Sequence, residues 1–177
     1  CLDFQLLGAP AVSINVSAVQ LRRPEFAERF LAILAETGMP GGQLVVEVTE
    51  TVPMQAGTVE QINLQALHRA GVRIAIDDFG AGYASLEYLR SFAFDIIKIN
   101  RSYVANLPQS RPDALIVSAI CHIAVQLGLD VVAEGIETQE QKQFLVECGC
   151  RGLQGYLLGR PAPLRVDQSS RRALAAA

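Results

Sequence analysis

The chain has 177 residues, half of them apolar and 19% charged, with a net charge of −3 at pH 7. This length and composition support one domain with a buried core and exclude disorder. The slight acidity, with no long basic run, argues against a nucleic-acid polymer as partner. No stretch of about 18 apolar residues is present to span a membrane, and no signal peptide is visible. The expected location is therefore the cytoplasm, for this segment alone or as the cytosolic part of a larger membrane-attached or multidomain protein. Cys1, Cys121, Cys148 and Cys150 show no CxxC spacing. Cys148 and Cys150 are too few and too close for a zinc site, so all four read as free thiols of a reducing compartment.

In chain order, residues 11–17 alternate apolar and polar and predict a strand. Pro24 opens a helix with Phe26, Phe30, Ile33 and Leu34 as its apolar stripe, stopped at Gly38. Residues 44–50 form the next strand. Thr58 and Gln61 make a capping box for a helix that carries Ile62, Ala66 and Leu67 and ends at Gly71. An apolar strand then runs into Asp77 and Asp78, followed by the glycine-rich turn Gly80-Ala-Gly82. Ser85 caps a short helix through Leu86 and Leu89. Residues 95–100 form a strand, and residues 112–127 a long apolar helix closed by Gly128. Residues 130–137 form a strand, Thr138 and Gln141 a second capping box, and the helix after it ends at Gly149. Residues 152–158 are a last short strand. The domain is expected over residues 1–163, with residues 164–177 a polar, then alanine-rich, C-terminal tail.

Strict strand-then-helix alternation with short loops predicts a parallel sheet with crossover helices. Two architectures offer this: an open doubly wound sheet and a (β/α)8 barrel. A dinucleotide site on an open sheet needs G-x-G-x-x-G. Gly80-Ala-Gly82 lacks the third glycine and follows two acids that repel phosphate. In a barrel, function collects at the carboxyl ends of several strands. Here those ends carry Asn15, Glu47, Asp77 with Asp78, Lys98 with Asn100, Glu134 and Gln154. Each has a plain structural alternative. Asp77 and Asp78 could cap the next helix, Glu47 and Glu50 could face solvent, Lys98 could pair with Asp95, and Glu134 could cap the turn at Gly135. Together, at one topological level, they form a ring of oxygen ligands with one lysine. Such a ring suits Mg²⁺ or Mn²⁺, and two cations can clamp the attacking and leaving oxygens of a phosphoryl displacement.

Asn15-Val-Ser, Glu47-Val-Thr-Glu50, Asp77-Asp-Phe-Gly-Ala-Gly-Tyr83, Lys98-Ile-Asn, Glu134-Gly-Ile-Glu137 and Gln154-Gly, in that order, resemble the motif series of EAL domains. The resemblance runs over about residues 12–163. EAL domains are the cyclic di-GMP phosphodiesterases of bacterial second-messenger signalling. The resemblance implies a TIM-like (β/α)8 barrel that opens cyclic di-GMP to linear pGpG with two Mg²⁺ or Mn²⁺ ions. It implies that Asn15, Glu47, Asp77, Asp78 and Glu134 hold the metals. Lys98 would hold the nucleophilic water with Gln154 assisting, and Glu137 matches a further acid of the family's site. Glu50 would brace the loop of residues 79–85. That loop, with Phe79, Gly80, Ala81, Gly82 and Tyr83, would couple substrate to the metals and to homodimerisation through the barrel.

Three departures qualify the resemblance. The Glu-Ala-Leu sequence that names the family is absent, and six strands are too few for eight. The chain is expected to be the C-terminal portion of a domain, about six of eight β/α units, inactive alone for want of one glutamate ligand. Asn100 stands where the family usually has aspartate, which removes a charge beside the metals. Ala81 replaces a usual threonine. The alternative function is an impaired EAL-like domain that acts as a cyclic di-GMP receptor. A Mg²⁺-dependent lyase or isomerase with Lys98 as base would use the same acids but leaves the motif series unexplained.

Overall fold

Six parallel strands with helices between them make the sheet that the alternation predicts. The computed structural model describes residues 4–6, 9–80 and 86–161. Its strands are β1 (Phe4–Leu6), β2 (Ala9–Asn15), β3 (Leu44–Thr49), β4 (Arg73–Phe79), β5 (Ile96–Ile99), β6 (Asp130–Ala133) and β7 (Gly152–Leu153), and they lie side by side in that order. β2 to β7 are parallel, each paired with the next. β1 is an additional strand, antiparallel to β2. It also approaches β7, so the sheet curls toward closure. The result is a half-barrel with helices. The helices are α1 (Ala18–Leu21), α2 (Phe26–Thr37), α3 (Val59–Arg69), α4 (Leu86–Ser91), α5 (Arg101–Val104), α6 (Arg111–Leu127) and α7 (Gln139–Glu147). Among the described residues, no helix is long and apolar enough to cross a membrane.

The expected elements appear, with revised ends. α1 and α5 are additions. Ser17 caps α1 in a reciprocal box with Gln20, and the Asn100 side chain caps α5 by accepting from Ser102 N. The helix expected from Pro24 starts at Phe26 instead. The reason is Asn63 of α3, which is 2% exposed. Its amide donates to the carbonyls of Leu21 and Arg23 and its oxygen accepts from Ala27 N, so it joins the end of α1 to the start of α2. Leu67 is buried as expected; Ile33 and Ile62, also expected on the apolar stripes, are exposed, and Ala27 and Leu64 are buried in addition. Gly38 and Gly128 end their helices with left-handed caps, as expected. Thr138 and Gln141 form their capping box. Residues beyond 161, and hence the tail, lie outside the described residues, as do Ser85, Cys1 and Ala81 to Tyr83.

The last strand is shorter than expected, and Gly155 explains why. After Leu153 the chain turns onto the β6 loop. Ile136 N donates to Gln154 O at 3.0 Å and Leu157 N to Ile136 O at 3.0 Å. A Cβ on Gly155 would lie 2.1 Å from Ile136 O and 2.2 Å from Ile136 N. These are backbone atoms that cannot swing aside. Gly155→Ala should therefore destabilise the fold by about 1–3 kcal/mol or more. Gly42→Ala, with nothing within 4 Å of its added carbon, is the control. Thermal unfolding of both variants checks this, and equal melting temperatures would refute it.

The core lies in two parts. The larger fills the space between sheet and helices and includes Leu21, Leu64, Leu67, Ile74, Ile76, Ile97 and Ile99. The smaller is a layer inside the curl: Val45, Ala75, Ile96 and Val132, all fully buried. Two residues below them, Arg73 and Asp130 pair across the floor of the barrel, with Arg151 joining Asp130 at 2.9 Å.

Candidate metal and catalytic site

Side chains on a strand repeat their direction every two residues. Two residues beyond Val45, Ala75, Ile96 and Val132 stand Glu47, Asp77, Lys98 and Glu134. The apolar layer is thus the platform for an ionic layer at the carboxyl ends of the strands. Lys98 Nζ lies 2.6 Å from Glu47 Oε2, 2.9 Å from Asp77 Oδ1 and 2.6 Å from Glu134 Oε1. Lys98 and Glu47 are each 3% exposed. Lys98 does not pair with Asp95, which instead accepts from Ile74 N and faces His68.

Adjacent residues on a regular strand face opposite ways, so Asp77 and Asp78 should not share a site. A β-bulge brings them together. The register of β4 on β5 slips between Ile76 and Phe79, so two residues of β4 span the place of one on β5. Asp78 has φ +56°, and it is the one non-glycine residue with positive φ among the described residues. Aspartate tolerates this left-handed conformation better than most side chains, and bulges beside active sites re-aim side chains. Carboxylate oxygens of Asp77, Asp78 and Glu134 consequently lie within 4.8 Å of one another.

Three carboxylates against one ammonium leave net negative charge in a half-buried cup. Burial opposes the charge on Lys98, but Glu47 and Glu134 outweigh it and hold its pKa above the ordinary lysine value. Burial raises the Glu134 carboxyl. The pull of Lys98 offsets this only in part, and Asp77 and Glu47 add repulsion. Glu47 Oε1 is buried with no hydrogen-bond partner, and so is Gln154 Oε1. An orphaned buried oxygen is costly unless something binds it. Hard oxygen donors, excess negative charge and an unsatisfied Glu47 oxygen in the same ionic layer fit Mg²⁺ or Mn²⁺. The residues present therefore suit a divalent cation.

The family model of the EAL domain matches residues 2–161. The chain belongs to the EAL domain family. It is 40% identical over 152 residues to MucR of Pseudomonas aeruginosa, a bifunctional diguanylate cyclase/cyclic di-GMP phosphodiesterase, covering 86% of this chain and 22% of MucR. The crystal structure of the EAL domain of Mycobacterium smegmatis DcpA superposes with TM-score 0.81 at 40% identity, over 94% of this chain and 73% of that one. A manganese and cyclic di-GMP complex of Klebsiella pneumoniae BlrP1 superposes with TM-score 0.80 at 36% identity, over 88% and 40%. The chain spans 18–22% of the length of four curated relatives that it matches.

The EAL motif residues do not all converge. Asn15 sits beside Glu47 in the β2–β3 register, at the exposed end of β2. Asn100 donates from Nδ2 to Asp78 Oδ1 at 2.7 Å while its own oxygen accepts from Ser102 N. An aspartate could make the second bond but not the first. Here the amide holds Asp78 in place of a repelling charge. Glu137 stands apart from the ring, half exposed, and pairs with Arg101 at 2.8 Å. Glu50 is half-buried near Tyr88, whose hydroxyl donates to Val52 O at 2.9 Å. Burial raises the Tyr88 hydroxyl and the charge of Glu50 adds to it. Phe79 is buried beside Ile99. Gly80, with φ +92°, lies against Tyr103, whose hydroxyl donates to Gly80 O at 2.7 Å. Of the loop residues expected to contact substrate, Ala81, Gly82 and Tyr83 lie outside the described residues. Tyr103 and Arg101 belong to none of the motifs quoted from the sequence. The only local signal was their position just past Lys98-Ile-Asn100.

Proposed function

We propose that this domain hydrolyses cyclic di-GMP to linear pGpG with two divalent cations, Mg²⁺ or Mn²⁺. The observation that carries the reading is Lys98 held among Glu47, Asp77 and Glu134 at the mouth of the barrel. Relatives support it: RocR of Pseudomonas aeruginosa, 38% identical over 158 residues, is a cyclic di-GMP phosphodiesterase, and BlrP1 binds manganese with the dinucleotide. Asn15, Glu47, Asp77, Asp78 and Glu134 would hold the ions. Bound divalent cations supply a more acidic water and neutralise charge on the phosphate. The reaction adds one water across a P–O3′ bond. Hydroxide stays on phosphorus as part of the 5′-phosphate, and the proton goes to the leaving 3′ oxygen.

The chain's own residues divide the remaining work. The Lys98 ammonium keeps three carboxylates turned inward, and a carboxylate drawn onto a cation would free one of its three N–H donors for a water. Gln154, whose buried oxygen has no partner, offers that water an acceptor. Asn100 holds Asp78. Glu50 and residues 79–85 would couple substrate to the ions and to a second copy of the domain, a homodimer through the barrel that rests on family resemblance. We place the protein in the cytoplasm, on the free thiols of Cys121, Cys148 and Cys150.

The second reading, a cyclic di-GMP receptor, is favoured by Asn100 alone. Chromatography of the dinucleotide after incubation with Mn²⁺ separates the two. The assay is run on this chain and on a chain carrying the family's Glu-Ala-Leu strand ahead of it. Appearance of pGpG with the longer chain is expected. Binding without any pGpG in either would favour the receptor.

A further inference from the structure

We infer that Arg101 is a positioning residue for Glu134: with Gly135 and Glu137 it clamps the turn that sets that carboxylate in the metal cluster. The inference rests on the reading above, that Asp77, Asp78 and Glu134 bind a divalent cation.

Arg101 opens α5, and its Nη2 donates to Glu137 Oε1 at 2.8 Å. Its stem crosses Gly135. A Cβ on Gly135 would lie 2.3 Å from Arg101 Cγ, 2.9 Å from Cδ and 3.0 Å from Cβ. Gly135 also has φ +73°, which favours glycine. The turn thus has a seat shaped for this one side chain, directly after Glu134. The other contacts complete the grip. Glu134 N donates to Ile99 O, Ile136 N to Gln154 O, and Glu137 N to Gln141 Oε1 at 2.7 Å. β5, the residue after β7 and α7 tie the backbone, while Arg101 pins the outer face through Glu137.

An ion pair this exposed, 65% and 49% for the two side chains, adds little to stability on its own. Groups that orient metal ligands matter instead through the metal, typically by 10–100-fold in affinity. The neighbouring residue behaves the same way: Asn100 holds Asp78. Two consecutive residues after β5 therefore steady the two arms of the cluster, Asn100 the β4 arm and Arg101 the β6 arm.

The test is calorimetric titration with Mn²⁺ of the chain and of Arg101→Ala, Arg101→Lys and Glu137→Gln, beside thermal unfolding and amide hydrogen exchange without metal. Arg101→Ala should weaken Mn²⁺ binding about 10-fold or more with the melting temperature nearly unchanged. Arg101→Lys, which keeps a stem over Gly135 but loses the fork, should fall between. Metal-free exchange at residues 135–137 should quicken in Arg101→Ala. Unchanged Mn²⁺ affinity in a folded Arg101→Ala would overturn the inference and leave a surface ion pair. If neither this chain nor a chain carrying the family's Glu-Ala-Leu strand ahead of it binds Mn²⁺, the proposed function fails. The exchange arm still judges the clamp, and unchanged exchange overturns it.

Discussion

Lys98→Met should destabilise the metal-free protein by about 3–5 kcal/mol, and Mn²⁺ should restore much of the loss. Methionine fills nearly the same volume without charge. It leaves Glu47, Asp77 and Glu134 packed together, with Glu47 fully buried and all three robbed of the cation now 2.6–2.9 Å away. Removing one partner of a buried ionic cluster is costly because the other charges stay behind. At about 2–4 °C per kcal/mol for a domain of this size, the melting temperature should drop by roughly 6–20 °C. A cation bound by the orphaned carboxylates stabilises the folded state by mass action. Melting curves with and without Mn²⁺ read both effects. An unshifted curve that ignores Mn²⁺ would mean that the carboxylates are compensated elsewhere. In an active, longer chain the substitution should cut turnover far more than substrate affinity. Equal losses would make Lys98 a phosphate clamp.

Asp77→Asn is the complementary change, because it keeps shape and removes charge. The asparagine oxygen can still accept from Asp78 N and Lys98 Nζ, as Asp77 Oδ1 does at 3.0 Å and 2.9 Å. Lys98 also retains Glu47 and Glu134, and one like-charge repulsion is relieved. The fold should keep its melting temperature within a few degrees or gain slightly. Mn²⁺ affinity should fall by about 100-fold or more, the upper range for partners that merely orient ligands, and turnover should vanish. Calorimetry that finds undiminished Mn²⁺ affinity would remove Asp77 from the ligand set.

Much of this site was legible from strand patterning. The β-branched runs before Glu47, Asp77, Lys98 and Glu134 predict buried parallel strands, and period-two spacing predicts that their last inward residues meet. What was not legible is tertiary. Strand alternation predicts Asp77 and Asp78 on opposite faces. The bulge that reunites them depends on how β4 meets β5, which no local pattern specifies. Asn63 reads as an ordinary polar residue on α3, yet it sets where α2 begins by bonding to three backbone groups from another segment. The residues 152–158 read as a strand because their apolar content is strand-like. Gly155 ends it through a close approach to Ile136 that only the folded chain contains. Glu137 sits in a motif with Glu134 but faces Arg101, since the turn at Gly135 rotates it away from the ring. The motif series supplied the expected roles. The geometry supplied the reasons that Asn100 and Arg101 stand where they do.

The most direct measurement is X-ray diffraction from crystals soaked in Mn²⁺, collected above and below the manganese absorption edge. The account predicts an anomalous peak bounded by Asp77, Asp78 and Glu134, with Glu47 Oε1 turned toward the metal site. Fully ordered crystals with no anomalous density there, and Lys98 still seated among its three carboxylates, would contradict it.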